Sequence, residues 1–230
     1  MNTPVRKENA CWSCAAACGG AHFCPACGKI QPLPAGTDYF AFFGLPRKLW
    51  LEPSELETRF HELSWKLHPD NFVRASEYER QLSLERASQL NDAYRALREP
   101  LSRVEYLLSL AGVRKEGQTK QQAPAELLEE VFELNESLDE LRSARQRSAN
   151  GEELSALRMR LENEERGFEA RLKELDEELK RLAREWDEAV DNGAPEEARR
   201  AVMSRMNEVL NRRSYIGNLV ANVQKELAEF

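Results

Sequence analysis

The chain has 230 residues, of which 41% are hydrophobic and 32% charged, enough apolar side chain for modest cores but not for one large globule. Its net charge of −7 is uneven: residues 1 to 37 carry +2, residues 38 to 125 carry 0 and residues 126 to 230 carry −9. An acidic chain without a dense Lys/Arg run lacks the clustered cations that nucleic-acid phosphates demand, no apolar run approaches the ~20 residues that span a bilayer, and Met1 to Ala10 has no signal-peptide core. A soluble, cytoplasmic protein with neither nucleic-acid nor membrane partner is expected, and the high charge with few Gly and Pro beyond residue 53 favours long amphipathic helices, hence a mainly α fold.

Residues 1 to 37 form the first segment. All five cysteines fall between Cys11 and Cys27, where they cannot staple the rest of the chain. Cys11-x-x-Cys14 and Cys24-x-x-Cys27 are two knuckles separated by nine residues, and four thiolates so spaced can surround one tetrahedral zinc. Reducible disulfides or inert thiols are the alternatives. Zinc is expected over iron because no redox role is implied, and it would be structural: residues 11 to 28 are too few to hold a hydrophobic core, so coordination supplies their folding free energy. Gly28 suits a tight turn that aims backbone amides at sulfur. Cys18 and His22, in the intervening loop, are possible replacement ligands. The stiff Gln31-Pro32-Leu33-Pro34-Ala35-Gly36 stretch closes the segment.

Residues 38 to 111 read as short helices. Asp38 caps a helix from Tyr39 to Gly44 with an aromatic face of Tyr39, Phe40 and Phe43. Ser54 is expected to cap the next, with Glu57 at the capping-box position; Leu56, Phe60, Leu63 and Leu67 recur at helical spacing until Pro69 breaks the run. A third helix extends from about Ser76 to Arg98 with Leu82, Ala87, Leu90, Ala93, Tyr94 and Leu97 as core residues, and Leu101 to Leu110 forms a fourth. Residues 112 to 124 read as a polar linker.

Residues 125 to 230 break only at Asn150-Gly151 and at Asp191-Asn192-Gly193-Ala194-Pro195. Three long helices with short connections make an antiparallel three-helix bundle. On the first, Leu127, Val131, Leu134, Leu138 and Leu141 fall on one stripe, while Leu128 and Phe132 point roughly 100 to 140° away from it, beside Glu129, Glu133 and Glu136. That pair is either a docking patch or the margin of a wide core face.

His68-Pro69-Asp70 lies between the second and third helices. A chance occurrence in a chain of this length has a probability on the order of one per cent, and alone it could be a helix-stopping turn in which Asp70 merely caps. In context, with Asp38-Tyr39-Phe40, Leu45-Pro46, the helix ending Leu67-His68-Pro69-Asp70, and Leu90-Asn91-Asp92-Ala93-Tyr94, the segment resembles the J-domain family. The resemblance implies a helical hairpin that presents the loop to a DnaK-type ATPase chaperone, Asp70 meeting an Arg of that partner. It also implies that basic side chains on the preceding helix, here Arg59 and Lys66 with Arg47 and Lys48 nearby, face an acidic chaperone surface; ordinary solvated charge is the alternative. Asn71 stands where Lys is common.

Cys11-Trp12-Ser13-Cys14, Phe23-Cys24-Pro25-Ala26-Cys27, Leu101-Ser102-Arg103-Val104-Glu105-Tyr106-Leu107-Leu108 and Glu133-Leu134-Asn135-Glu136-Ser137-Leu138 are similar to the tetracysteine form of the HscB-type iron-sulfur co-chaperone. The match fails mainly between about Ser143 and Asn192, where this chain is longer than the family norm. What it implies is a non-enzymatic protein that stimulates an HscA/DnaK-type chaperone and carries an IscU-type cluster scaffold on Leu128, Phe132, Glu133, Glu136 and Tyr215. Glu129 occupies a position where the family often has an apolar residue. A general J-protein delivering unfolded clients, and a zinc-ribbon structural or nucleic-acid adaptor with only Arg6, Lys7 and Lys29 as nearby cations, are the competing readings.

Overall fold

A computed structural model describes residues 10–114 and 127–228 and divides the chain into two compact units, Met1–Leu110 and Ala111–Phe230. Residues 112 to 124 lie mostly outside the described residues, as do Arg6 and Lys7.

The first unit begins with two copies of one small motif. Cys11 donates its amide hydrogen to the Ala16 carbonyl at 2.7 Å and Cys24 to Lys29 at 2.9 Å; the return bonds run from Ala15 to Cys11 at 3.0 Å and from Gly28 to Cys24 at 2.9 Å. Single antiparallel bridges, Ala10 with Ala17 and Phe23 with Ile30, close each knuckle. Both turns need a left-handed residue, and Gly28 (φ 73°) supplies it without a Cβ penalty where Ala15 (φ 60°) accepts one.

Three helices and a short one follow: α1 (Tyr39–Phe42), α2 (Pro53–Leu67), α3 (Glu77–Arg98) and α4 (Pro100–Leu110), with a 3₁₀ turn over Pro69–Phe72. Asp38 caps α1 by accepting from the Ala41 amide at 2.8 Å, and Arg47 pairs with its other oxygen at 2.6 Å. At α2 the structure departs from the expected cap. Glu52 is the residue before the helix and makes no side-chain cap bond, while Pro53 starts it; proline's fixed φ and missing N–H suit the first helical position, so the helix begins before Ser54 can serve as its cap. The capping box forms instead at α3, between Ser76 and Glu79.

Leu56 and Leu67 of α2, Leu82, Leu90, Ala93 and Leu97 of α3, and Val104, Leu107 and Leu108 of α4 are buried together with Phe40, Phe42 and Phe43. Phe60 stacks on Tyr94 with ring centres 4.2 Å apart. Buried polar groups pin this core. Ser83 donates to the Leu67 carbonyl at 2.7 Å, and Arg103 donates to the carbonyls of Leu97 and Leu49. The cysteine segment packs onto the same unit: the Trp12 ring meets Tyr78 edge-on at 5.0 Å, and the His22 ring lies 4.6 Å from Phe42.

The second unit holds α5 (Leu128–Gln146), α6 (Gly151–Asp191) and α7 (Glu196–Ala228). Its register is fixed by pairs: Ser137 with Glu164 at 2.8 Å and Glu140 with Arg160 at 3.2 Å align α5 antiparallel to the first half of α6, and Asp176 with Arg213 and Glu185 with Arg205 align α7 antiparallel to the second half. Both being antiparallel to α6, α5 and α7 run parallel, and Arg142 and Arg145 of α5 reach Glu226 of α7. Leu134, Leu138 and Leu141 of α5, Leu161, Phe168, Leu175 and Leu182 of α6, and Met206 and Val223 of α7 are all buried along the bundle. Among the described residues, no helix is long and apolar enough to cross a membrane.

Candidate functional site

The turn between α2 and α3 is built from its own residues. His68 ends α2 with an extended ψ of 130°, as a residue before proline must, and its Nδ1 accepts the Asp70 amide hydrogen at 3.3 Å. The Asn71 amide donates to the His68 carbonyl at 3.0 Å, and the Asn71 side chain donates to the Trp65 carbonyl at 2.6 Å. The departure from the common Lys thus serves the fold, because Asn71 satisfies one of the carbonyls left over at the helix end. Asp70 is left with 85% of its side chain exposed, 3.5 Å from His68 Nδ1. An acceptor so placed is free to meet a cation on another molecule.

The neighbouring cations differ in freedom. Lys66 is exposed in the last turn of α2. Arg59 instead donates to the Phe43 carbonyl at 2.9 Å and pairs with Glu55 at 2.8 Å, so it also ties α2 to the end of α1. Trp65, 80% exposed one residue from Lys66, is a surface aromatic that apolar periodicity passes over because it falls between the expected core positions Leu63, half-buried in the structure, and Leu67, which is buried.

The four knuckle cysteines converge: Cys11, Cys14, Cys24 and Cys27 bring their sulfurs within 4.8 Å of one another, with Cys11 to Cys27 and Cys14 to Cys24 both 3.6 Å. Zn–S bonds of about 2.3 Å in a tetrahedron set sulfurs roughly 3.8 Å apart, so the cluster fits one metal ion. Burial, the largest influence, pushes the Cys11 thiol up, but the amides of Cys14 and Ser13 at 3.4 and 3.3 Å and the neighbouring thiols outweigh it and bring it down to about 6. The Cys24 thiol is likewise lowered, first by the Cys27 amide. His22 Nε2 is engaged by the Phe42 carbonyl at 2.9 Å, which sets it apart from the four; Cys18 is turned toward the Ala16 carbonyl at 3.5 Å and lies beside Cys24 and Cys11 without joining the convergent set.

On the bundle, Leu128 is 55% and Phe132 71% exposed, whereas Leu134 of the same helix is 1% exposed. The pair therefore does not join the core. Glu129, Glu133 and Glu136 are exposed beside it, and Phe132 and Glu136 line one end of a groove of about 770 Å³ between α5 and α6 that continues past Asp139, Ser143 and Leu157. Tyr215 is half-buried on α7, at the level of the start of α5 by the register that Arg142 and Glu226 set.

A helical hairpin bent at His68-Pro69-Asp70, joined to a three-helix bundle, is the arrangement of a J-domain co-chaperone. No protein-family model matches the chain. Among curated proteins it is 38% identical over 135 residues to the co-chaperone protein HscB homolog of Azoarcus sp., covering 59% of this chain and 74% of that one. Over 137 residues it is 34% identical to the iron-sulfur cluster co-chaperone protein HscB of Mus musculus, covering 58% of each. It is 43% identical over 104 residues to the Vibrio vulnificus homolog, spanning 45% of this chain and 61% of that relative's length. The crystal structure of human co-chaperone protein HscB superposes with a TM-score of 0.64 at 25% identity, over 96% of this chain and all of that one. The chain belongs to the HscB co-chaperone family.

Proposed function

We propose that this protein is a non-enzymatic co-chaperone of iron-sulfur cluster assembly in the cytoplasm: residues 38–111 stimulate the ATPase of an HscA/DnaK-type chaperone, and residues 125–230 deliver an IscU-type scaffold. The observation that carries this reading is the exposed Asp70 carboxylate at a bend fixed by two packed helices. A charge-assisted contact from Asp70 to a chaperone Arg is directional, and biases the partner toward its hydrolysis-competent state in proportion to its preference for that state. His68 and Pro69 shape the bend, and Lys66 and Arg59 add long-range attraction to an acidic partner face.

The scaffold docks on Leu128 and Phe132, an apolar pair off the core, with Glu133, Glu136 and Tyr215 around it. Cys11, Cys14, Cys24 and Cys27 hold a structural zinc whose contribution, when bound, is to fold the knuckles. The mouse relative is an iron-sulfur cluster co-chaperone protein, which supports this choice over a general J-protein.

Single-turnover ATP hydrolysis by candidate chaperones, with and without the scaffold, tests the reading. This protein should raise the rate; His68→Gln or Asp70→Asn should abolish the rise, and Phe132→Ala should remove only its scaffold-dependent part. Equal stimulation by all three variants would contradict it.

A further inference from the structure

Lys29 belongs neither to the four sulfurs nor to the His68–Asp70 turn, yet it touches what supports each. It follows Gly28 in the second knuckle, and its carbonyl accepts the Cys24 amide hydrogen at 2.9 Å and the Gln31 side chain at 2.8 Å. Its ammonium lies 4.9 Å from the centre of the Trp12 ring, in the first knuckle, and 3.3 Å from Glu79 Oε2 on α3. Trp12 is fixed in turn, its Nε1 donating to the Ile30 carbonyl at 2.7 Å. One cation therefore bridges both knuckles and the start of a helix in the hairpin.

The Glu79 oxygen it meets is the one that makes the cap of α3. Oε2 also accepts from the Ser76 hydroxyl at 2.8 Å and the Ser76 amide at 3.4 Å, completing the capping box. One helical turn further on, Ser83 holds the Leu67 carbonyl at 2.7 Å, adjacent to His68. A continuous run of packed groups thus leads from the cysteine segment through Lys29, Glu79 and Ser83 to the backbone that begins the turn. Glu79 is 9% exposed and Ser83 is fully buried, so most of this route is shielded from competing water.

We propose that Lys29 is a positioning residue: with the tetracysteine site filled, it holds the start of α3, and through Ser83 the backbone at Leu67 and His68, in the arrangement that presents Asp70. The two-state element is the cysteine segment itself, which lacks a core of its own and orders only with metal. Losing the metal frees Trp12 and Lys29 together and leaves Glu79 to the cap alone. Coupling between sites is reciprocal, so a chaperone held at the turn slows metal loss. The proposal rests on the chaperone-stimulating reading of the turn given above.

The test uses the full chain loaded with zinc, as wild type, Lys29→Met and Lys29→Arg, together with wild type stripped of zinc by a chelator. Amide exchange over residues 66–83 and zinc content are measured beside chaperone stimulation. Lys29→Met keeps its zinc, exchanges about fivefold faster over residues 66–83, and needs about fivefold more protein for half-maximal stimulation at an unchanged saturating rate, as expected for losing one partly shielded ion pair. Lys29→Arg behaves as wild type, and stripped wild type exchanges at least as fast as Lys29→Met. Exchange in Lys29→Met equal to wild type, or loss of zinc from that variant, overturns the proposal. Asp70→Asn separates the two readings: full stimulation by it defeats the role of the turn, while the exchange comparison still decides the role of Lys29.

Discussion

Asn71 Nδ2 donates a hydrogen bond to the Trp65 carbonyl at 2.6 Å, across the bend that exposes Asp70. The residue after the tripeptide thus closes the end of the helix before it. Replacing it with Ala leaves that carbonyl to solvent and removes one clasp on the turn, at a cost of about 1 kcal/mol. Urea unfolding of Asn71→Ala should show that loss, and Asn71→Asp, which cannot donate, should not recover it.

Ser83 makes the buried counterpart of this contact. Its hydroxyl is the donor to the Leu67 carbonyl, within the core, where no water replaces it. Ser83→Ala should cost more than Asn71→Ala, about 1–3 kcal/mol, because an acceptor is left unmatched away from solvent. A smaller loss than for Asn71→Ala, by urea titration monitored at the same wavelength, would show that Leu67 is hydrated.

Tyr106 supplies an alkaline signature. Its hydroxyl accepts the Tyr39 amide hydrogen at 2.9 Å, and burial, the leading cause, pushes the phenol up to about 12 from an ordinary 10. The folded state then holds this proton more tightly than the unfolded state. Stability from this group is complete below about pH 10 and falls as pH rises toward 12. Tyr106→Phe should flatten that alkaline decline while lowering stability at neutral pH, where the Tyr39 amide loses its acceptor.

Two residues of α5 should separate folding from docking. Leu134→Ala, at a site 1% exposed, should destabilise the bundle by about 2–5 kcal/mol. Phe132→Ala, at a site 71% exposed, should change its stability by less than about 0.5 kcal/mol. Thermal unfolding checks both; a large loss from Phe132→Ala would place that ring in the core and remove it from any docking surface.

Cobalt offers a direct view of the cysteine cluster. The four convergent sulfurs should bind one ion per chain with the intense visible absorption of tetrahedral thiolate coordination. Cys24→Ser should weaken binding strongly, and Cys18→Ser should leave the spectrum unchanged, because Cys18 faces the Ala16 carbonyl. Acidification should release the ion, since ligation requires thiolates.

The amino-acid order by itself determined the helices, the bend between the second and third, the bundle and the pairing of the knuckles. These follow from local rules: apolar spacing, proline and glycine as punctuation, and Cys-x-x-Cys geometry act over a few residues, and the structure had only to assemble them. Even the stripe of Leu134, Leu138 and Leu141 is legible, because each residue advances the helix by a fixed angle.

Tertiary structure decided what local rules leave open. Pro53 took the start of α2 from Ser54, Arg59 turned toward the Phe43 carbonyl, and Ser83 and Arg103 went into the core as donors to Leu67, Leu97 and Leu49. Periodicity registers only apolar side chains, so a buried polar group is invisible to it until the carbonyl that needs it arrives from another helix. Whether Leu128 and Phe132 belonged to a wide core face also depended on how far α6 and α7 wrap around α5, and the packing left them outside. The contact between Lys29 and Glu79, 50 residues apart, had no local trace at all. It exists because the cysteine segment and the hairpin share one surface, and only the folded chain brings those two charges together.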